Sequence, residues 1–160
     1  MKISISKSIL DNILSSSQSF IEKKDESQIT SHVLLIAKGG NLTIKATDFE
    51  IGLINSTDLV SITDEGIATA NGKKIVEIVK RLKDENIDIE TIEDNLILKQ
   101  GRTKFKLPMF DALEFPSFPD YRDKPKVDIN VLELIKSIKK ITPCIDTSNP
   151  KQELNGAYLD

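Results

Sequence analysis

Few residues in this chain have the chemistry of an active site. Asp48 and Glu50 flank Phe49 and could be drawn as paired carboxylates for acid–base work, but residues two apart on a strand share a face by geometry alone. His32 is the only histidine and Cys144 the only cysteine, so neither a Cys/His metal site nor an internal disulfide can be assembled. Both read as structural residues, since nothing nearby in sequence would orient or activate them. The chain contains no phosphate-cradling glycine loop and no Ser/His/acid arrangement, so catalysis, a metal and a cofactor are not expected.

The cations are more informative. The 160 residues carry a net charge of −3, which does not describe a polyanion binder by composition, but the charge is segregated by element. Gly72 to Lys83 holds five cations (Lys73, Lys74, Lys80, Arg81, Lys83) against Glu77, whereas Asp84 to Asp94 holds six acids and no base. Lys73, Lys80 and Arg81 stand opposite the apolar stripe Ile75, Ile78, Val79 and Leu82, and Lys136, Lys139 and Lys140 lie on a second helix of the same kind. Two cationic helices, with the acids held in turns and linkers, favour a phosphate-facing surface that reads charge rather than sequence. With no aromatic residues interleaved, stacking on single-stranded bases is not expected there. The third cluster is Gly101 to Pro108, where Phe105 and Leu107 alternate with Arg102, Lys104 and Lys106. That is a strand with one apolar and one basic face, an edge that either meets an acidic partner or is merely guarded by its charges.

The elements that must position these clusters follow from periodicity. Lys2 to Ile5 alternates as a strand, and Ser6 caps a helix over Lys7 to Phe20. A polar loop from Glu22 to Gln28 leads to strands at His32 to Ala37 and Leu42 to Thr47, joined by a tight turn at Gly39-Gly40. A third strand is expected from Phe49 to Ser56, with Phe49, Ile51 and Leu53 on one face, and then a turn around Asp64-Glu65. Ile67 to Ala70 is a short strand before the basic helix, which Asn71 caps. Ile87 to Ile92, Leu96 to Lys99 and Thr103 to Leu107 form a meander turning at Asp94-Asn95 and Gln100-Gly101. Pro108 to Lys126 contains four prolines and looks like an extended linker.

Beyond it the pattern restarts. With a shift of 124 residues, Ile3 and Ile5 fall on Val127 and Ile129, Ser6 on Asn130, Leu10 on Leu134, Leu14 on Ile138, and Val33 and Leu35 on Ala157 and Leu159. This predicts a domain over residues 1–115, a linker over 116–126 and the start of a second domain over 127–160. A strand-helix-strand piece of about 34 residues cannot bury enough surface to stand alone, so the chain is expected to be part of a longer repeat protein.

Four separated motifs, Thr47-Asp-Phe-Glu-Ile51, Gly101-Arg-Thr-Lys-Phe-Lys-Leu-Pro108, Glu114-Phe-Pro116 and Leu154-Asn-Gly-Ala-Tyr-Leu-Asp160, resemble in order and spacing those of the bacterial DNA polymerase III beta subunit family, the replicative sliding clamps. The resemblance implies an α+β DNA-clamp fold of repeated domains, each with two helices packed on antiparallel sheets, the first complete here and the second only begun. It implies a head-to-tail homodimer ring around double-stranded DNA, closed between the first domain of one chain and the third of another. It further implies recruitment of the DNA polymerase III alpha subunit and the clamp loader through short peptide motifs. Carried over by position, Lys74, Ile78, Leu82, Arg102, Lys104, Phe105 and Leu107 match the first-domain side of the ring interface. Lys24 matches a DNA-touching position where the family usually has arginine, and a lysine there keeps the charge without the bidentate fork. Lys73 opens a hole-lining helix. Ser148, Asn149, Lys151 and Gln152 match a DNA-touching loop, although Gln152 and Glu153 replace aromatic residues often found there. Lys151 and Leu154 match one wall of the peptide groove.

A rival reading is a non-DNA interaction module whose basic edge strand docks on an acidic protein. No apolar run reaches the length needed to cross a bilayer and the N-terminus lacks a signal-peptide core, so a cytoplasmic protein with no membrane partner is expected.

Overall fold

The computed structural model describes residues 1–22, 25–120, 123–146 and 148–159. They form two compact units, Met1–Phe118 and Pro119–Asp160.

The first unit is built from two similar halves. In the first half β1 (Lys2–Ser6) runs directly into α1 (Lys7–Ser17), because Ser6, itself still extended, caps the helix with its Oγ accepting the Ile9 N–H at 3.4 Å. A meander follows: β2 (His32–Lys38), β3 (Asn41–Thr47) and β4 (Gly52–Thr57). After a single added strand, β5 (Val60–Asp64), the second half repeats the order. β6 (Gly66–Asn71) runs into α2 (Gly72–Arg81), and β7 (Asn86–Ile92), β8 (Asn95–Gln100) and β9 (Thr103–Pro108) complete the second meander. Here Asn71 is the cap, its Oδ1 accepting the Lys74 N–H at 3.0 Å.

The halves interlock by exchanging their first strands. β1 pairs with β7 and β6 pairs with β2, giving sheets of order β5-β1-β7-β8-β9 and β4-β3-β2-β6, every pairing antiparallel. Alternation then decides the core. Ile3 and Ile5, Val33 and Leu35, Leu42 and Ile44, Ile87 and Ile89, Leu96 and Leu98 point inward, where Leu10 and Leu14 of α1 and Ile75 and Val79 of α2 meet them. The turn between β2 and β3 needs positive φ at two successive residues, and Gly39 and Gly40 supply +58° and +77°.

Several sequence expectations are corrected. The helix from Lys7 stops at Ser17, and Gln18–Phe20 tightens into a 3-10 turn. The third strand starts at Gly52, not Phe49. Asp48 Oδ1 accepts the N–H groups of Glu50 and Ile51 at 3.1 and 2.9 Å, and Thr47 Oγ1 accepts the Phe49 N–H at 3.0 Å, which winds 48–51 into a turn with Phe49 at φ +75°. Asp48 is thus a turn-former rather than half of a carboxylate pair. β5 stands where no strand was expected, and the turn expected around Asp64-Glu65 joins it to β6. The meander turns are Glu93-Asp94 and Gly101-Arg102, each displaced by one residue.

The proline-rich segment is not a free linker over its first half. The Phe110 N–H donates to Thr69 Oγ1 at 2.7 Å, that hydroxyl donates back to the Phe110 carbonyl at 2.8 Å, and the Phe110 ring stacks on His32 with centroids 4.2 Å apart. Phe115 is 8% exposed, and Phe118 lies against Gly52 with Lys45 Nζ 5.4 Å from its ring centroid. Residues 110–118 therefore strap the four-stranded sheet from β6 to β4. A Cβ on Gly52 would stand 2.4 Å from a ring carbon of Phe118, so Gly52→Ala should dislodge the ring and cost about 1–2 kcal/mol. In a Phe118→Ala background the same change should cost nothing or stabilise slightly, which a double-mutant cycle of urea melts would read.

In the second unit, α3 (Val131–Ile141) begins where the 124-residue shift requires, with Asn130 Oδ1 accepting the Leu132 and Glu133 N–H groups at 3.0 and 3.3 Å. The strands expected at Val127–Ile129 and Ala157–Leu159 do not form. β1 is held between β5 and β7, and among the described residues no strand pairs with residues 127–129.

Candidate nucleic-acid and subunit interfaces

α2 carries its charge on two adjacent stripes rather than one face. Ile75, Val76 and Val79 are buried, which leaves Lys73 and Lys80, two turns apart, on one exposed stripe and Lys74 and Arg81, also two turns apart, on the next. The structure assigns the stripes to different surroundings. Lys73 borders a hollow of about 410 Å³ with Gln18, Ser19, Glu22, Glu26 and Ser31. Lys74, Ile78 and Arg81 instead border a groove of about 210 Å³ against Phe105 and Leu107 of β9. Sequence reasoning grouped Arg81 with Lys73 and Lys80. The seven-residue spacing of Lys74 and Arg81 was the signal that would have separated them.

The residues carried over to the ring interface are therefore partly gathered. Lys74, Ile78, Phe105 and Leu107 converge on one groove. Phe105, Ile78 and Leu82 are half-buried and rest on the domain core, while Leu107 is 5% exposed and belongs to that core. Lys104 is exposed on β9, and Arg102 sits in the preceding turn instead of on the strand. β9 is the terminal strand of its sheet, so its outer backbone groups have no strand partner among the described residues. Lys74 Nζ also reaches Glu26 at 3.2 Å, an exposed ion pair worth well under about 1 kcal/mol that a partner acid could replace.

The one histidine lies on β2, near enough to Lys74 to feel its charge. His32 is 4% exposed, its Nδ1 has no hydrogen-bond partner among the described residues, and its pKa is pushed down to about 4, first by burial and then by the Lys74 charge. It is a neutral core residue packed under Phe110, in keeping with its reading as structural. Two carboxylates are also lowered: half-buried Glu90 is held below the usual range chiefly by its hydrogen bond from Lys99, and exposed Asp25 by hydrogen bonds from Ser27.

Of the remaining candidates, Lys24 lies outside the described residues. Lys136, Lys139 and Lys140 are exposed at helical spacings of three and four on α3. In the following loop Ser148, Asn149 and Lys151 come together, but Asn149 is engaged in building it. Its Nδ2 donates to Asp146 Oδ2 at 2.9 Å and its Oδ1 accepts the Lys151 N–H at 3.0 Å. Asp146, which the sequence did not single out, organises this loop and also accepts the Ser148 N–H. Gln152 begins a single 3-10 turn ending at Leu154, which is 49% exposed beside Lys151. Among the described residues no cluster of His, Cys, Asp or Glu could hold a metal, and no helix is long and apolar enough to cross a membrane.

Comparison with known proteins shows the family. Residues 1–119 match the family model of the DNA polymerase III beta subunit, N-terminal domain. The chain is 45% identical over 159 residues to the beta sliding clamp of Helicobacter pylori strain J99, covering 99% of this chain and 42% of that protein. Among solved structures, it superimposes on the H. pylori beta clamp bound to a DNA ligase peptide with a TM-score of 0.89 at 45% identity, covering 96% of this chain and 43% of the other. For the Caulobacter crescentus beta sliding clamp the TM-score is 0.90 at 30% identity, with 98% and 42% covered. The chain thus spans about two fifths of the length of the relatives it matches.

Proposed function

The chain belongs to the DNA polymerase III beta subunit family, the sliding clamps, and from that premise we propose that it supplies the first domain and the start of the second of a non-catalytic DNA polymerase processivity factor. The complete protein closes head to tail into a homodimer ring around double-stranded DNA in the cytoplasm and tethers the replicative polymerase.

The observation that carries this reading is the division of α2. One helix offers Lys73 and Lys80 to one surface and Lys74, Ile78 and Arg81 to a groove against the free edge β9, so a single element can face DNA phosphates and a neighbouring subunit at once. Lys73, Lys80, Lys136, Lys139 and Lys140 supply sequence-independent contacts to phosphate, with Lys24, Ser148, Lys151 and Gln152 as further contacts and Asn149 holding the loop. Such contacts have no register along the duplex, which is what sliding requires. Phe105, Ile78 and Leu82 form the apolar centre of the seam, and Arg102, Lys104, Lys74 and Arg81 its charged rim. The H. pylori clamp of known structure holds a DNA ligase peptide, and Lys151 and Leu154 fit one wall of a groove for such short motifs, through which the polymerase alpha subunit and the clamp loader engage.

The full-length protein, loaded on a nicked circular plasmid, should be retained through gel filtration and lost when the circle is linearised. Equal retention on both forms rejects encirclement.

A further inference from the structure

The rim assigned above to the seam carries four cations, Lys74, Arg81, Arg102 and Lys104. Of these, among the described residues, only Lys74 holds an ion pair, with Glu26 at 3.2 Å. That pair joins two surfaces: Lys74 borders the groove with Ile78 and Phe105, whereas Glu26 borders the hollow beside Lys73. Both partners are placed independently of each other. The Lys74 N–H donates to Asn71 Oδ1 at 3.0 Å, which fixes its backbone in the first turn of α2. Glu26 stands in a loop that closes on itself, with Asp25 Oδ1 accepting the Ser27 N–H at 2.9 Å and the buried Ser31 donating its hydroxyl to the Glu26 carbonyl at 3.0 Å. The carboxylate is thus held near the lysine at little entropic cost. Since the two side chains remain 55% and 49% exposed, the pair is easily exchanged for another.

Covering the groove changes that balance. Ile78 and Phe105 line it with apolar surface, so a neighbouring subunit laid on it strips water from the Lys74 ammonium. An unpaired charge is costly there, and Lys74 must either keep Glu26 or take an acid from the neighbour. Keeping Glu26 brings a carboxylate to a rim whose cations are complementary to acids on the facing surface, and like charges then meet. We infer that the Lys74–Glu26 ion pair is an autoinhibitory latch on subunit association: it occupies a seam lysine in the open chain and is released when an acid of the neighbouring subunit takes its place. The inference rests on the reading of α2 and β9 as a seam and adds a brake on its closing. Release also unties the loop 25–31 from α2, beside the hollow that Lys73 borders.

Subunit association of the full-length protein, measured by fluorescence energy transfer between labelled chains, tests this. At about 50 mM salt Glu26→Gln should tighten ring closure roughly two- to fivefold, the range an exposed ion pair allows, and the gain should fade at about 500 mM. In a Lys74→Gln background the same change should bring no gain, because the latch has already lost its other half. Asp25→Asn is the control. It removes a neighbouring charge that bonds Ser27 and Gln28 instead of a lysine, keeps the Oδ1 acceptor, and should leave closure as in wild type. A Glu26→Gln ring that closes more weakly means that Glu26 stays with Lys74 inside the seam, and one that closes as wild type means that no latch exists. An equal gain from Asp25→Asn, or one that persists without Lys74, means that acids near the seam act only by general repulsion. Each of these results overturns the inference. Failure of the seam itself is read separately, as Phe105→Ala and Arg102→Glu/Lys104→Glu rings that exchange subunits like wild type.

Discussion

Lowering the pH from 7 to 4 should remove roughly 3 kcal/mol from the stability of the first unit through His32 alone. The imidazole is neutral in the folded state, with its pKa pushed down to about 4 by burial and by Lys74, against an ordinary value of 6.5. Between those values the unfolded chain binds a proton that the folded chain refuses, so stability is complete above about pH 6.5 and falls steadily towards pH 4. The lowered carboxylates Glu90 and Asp25 act in the same direction, but only in the carboxylate range and below, so the upper part of the slope belongs to the histidine. Urea melts at intervals between pH 7 and 4 should show this slope in the wild type and its absence in His32→Gln, which has nothing to titrate there. An equal slope in the variant would mean that another group carries it. Because His32 lies under Phe110 and near Lys74, protonation should also loosen the strap, visible as faster amide exchange at Phe110, whose N–H is held by Thr69.

How far the sequence foretold this domain depends on whether the determining interaction is local. All three long helices begin at the expected caps, Ser6, Asn71 and Asn130, since capping is settled within three residues. The Gly39-Gly40 hairpin and the last meander were legible for the same reason. β5 was not: Val60 to Asp64 alternates only weakly, and what makes it a strand is pairing with β1 some sixty residues earlier in the chain. The turn at 48–51 hid behind an apolar alternation that continues through Phe49 and Ile51, although Asp48 and Thr47 close it by side-chain bonds. The strap was disguised by its prolines. Its own signal was aromatic, since three of the six phenylalanines in the chain fall at 110, 115 and 118, an unusual density for a free linker.

The candidate sites divide along the same line. The alternation of Phe105 and Leu107 with lysines identified a terminal strand, and the sheet order agrees. That Leu107 is a core residue while Phe105 remains half-exposed depends on which neighbours β8 and α2 provide, and alternation cannot rank two residues on one face. The internal two-fold repetition of the domain is masked in the sequence because β5 and unequal loops separate the halves, although the caps Ser6 and Asn71 mark equivalent points in them.

That ranking sets up the sharpest expectation for the complete protein. Phe105→Ala should weaken ring closure by roughly a hundredfold, the loss typical of truncating an aromatic anchor at the centre of an interface, and the loss should change little between about 50 and 500 mM salt. Arg102→Glu/Lys104→Glu should weaken closure too, but mainly by slowing association, and the defect should shrink at high salt as the exposed charges are screened. Leu107→Ala should behave differently from both. With its side chain in the core, it should lower the melting stability of the first domain by about 2–4 kcal/mol before it affects the seam. Subunit exchange measured by fluorescence energy transfer, beside thermal melts of the same proteins, distinguishes the three. A Phe105→Ala ring that exchanges no faster than wild type would place the anchor elsewhere on the edge, with Ile78, which borders the same groove from α2, the residue to truncate next.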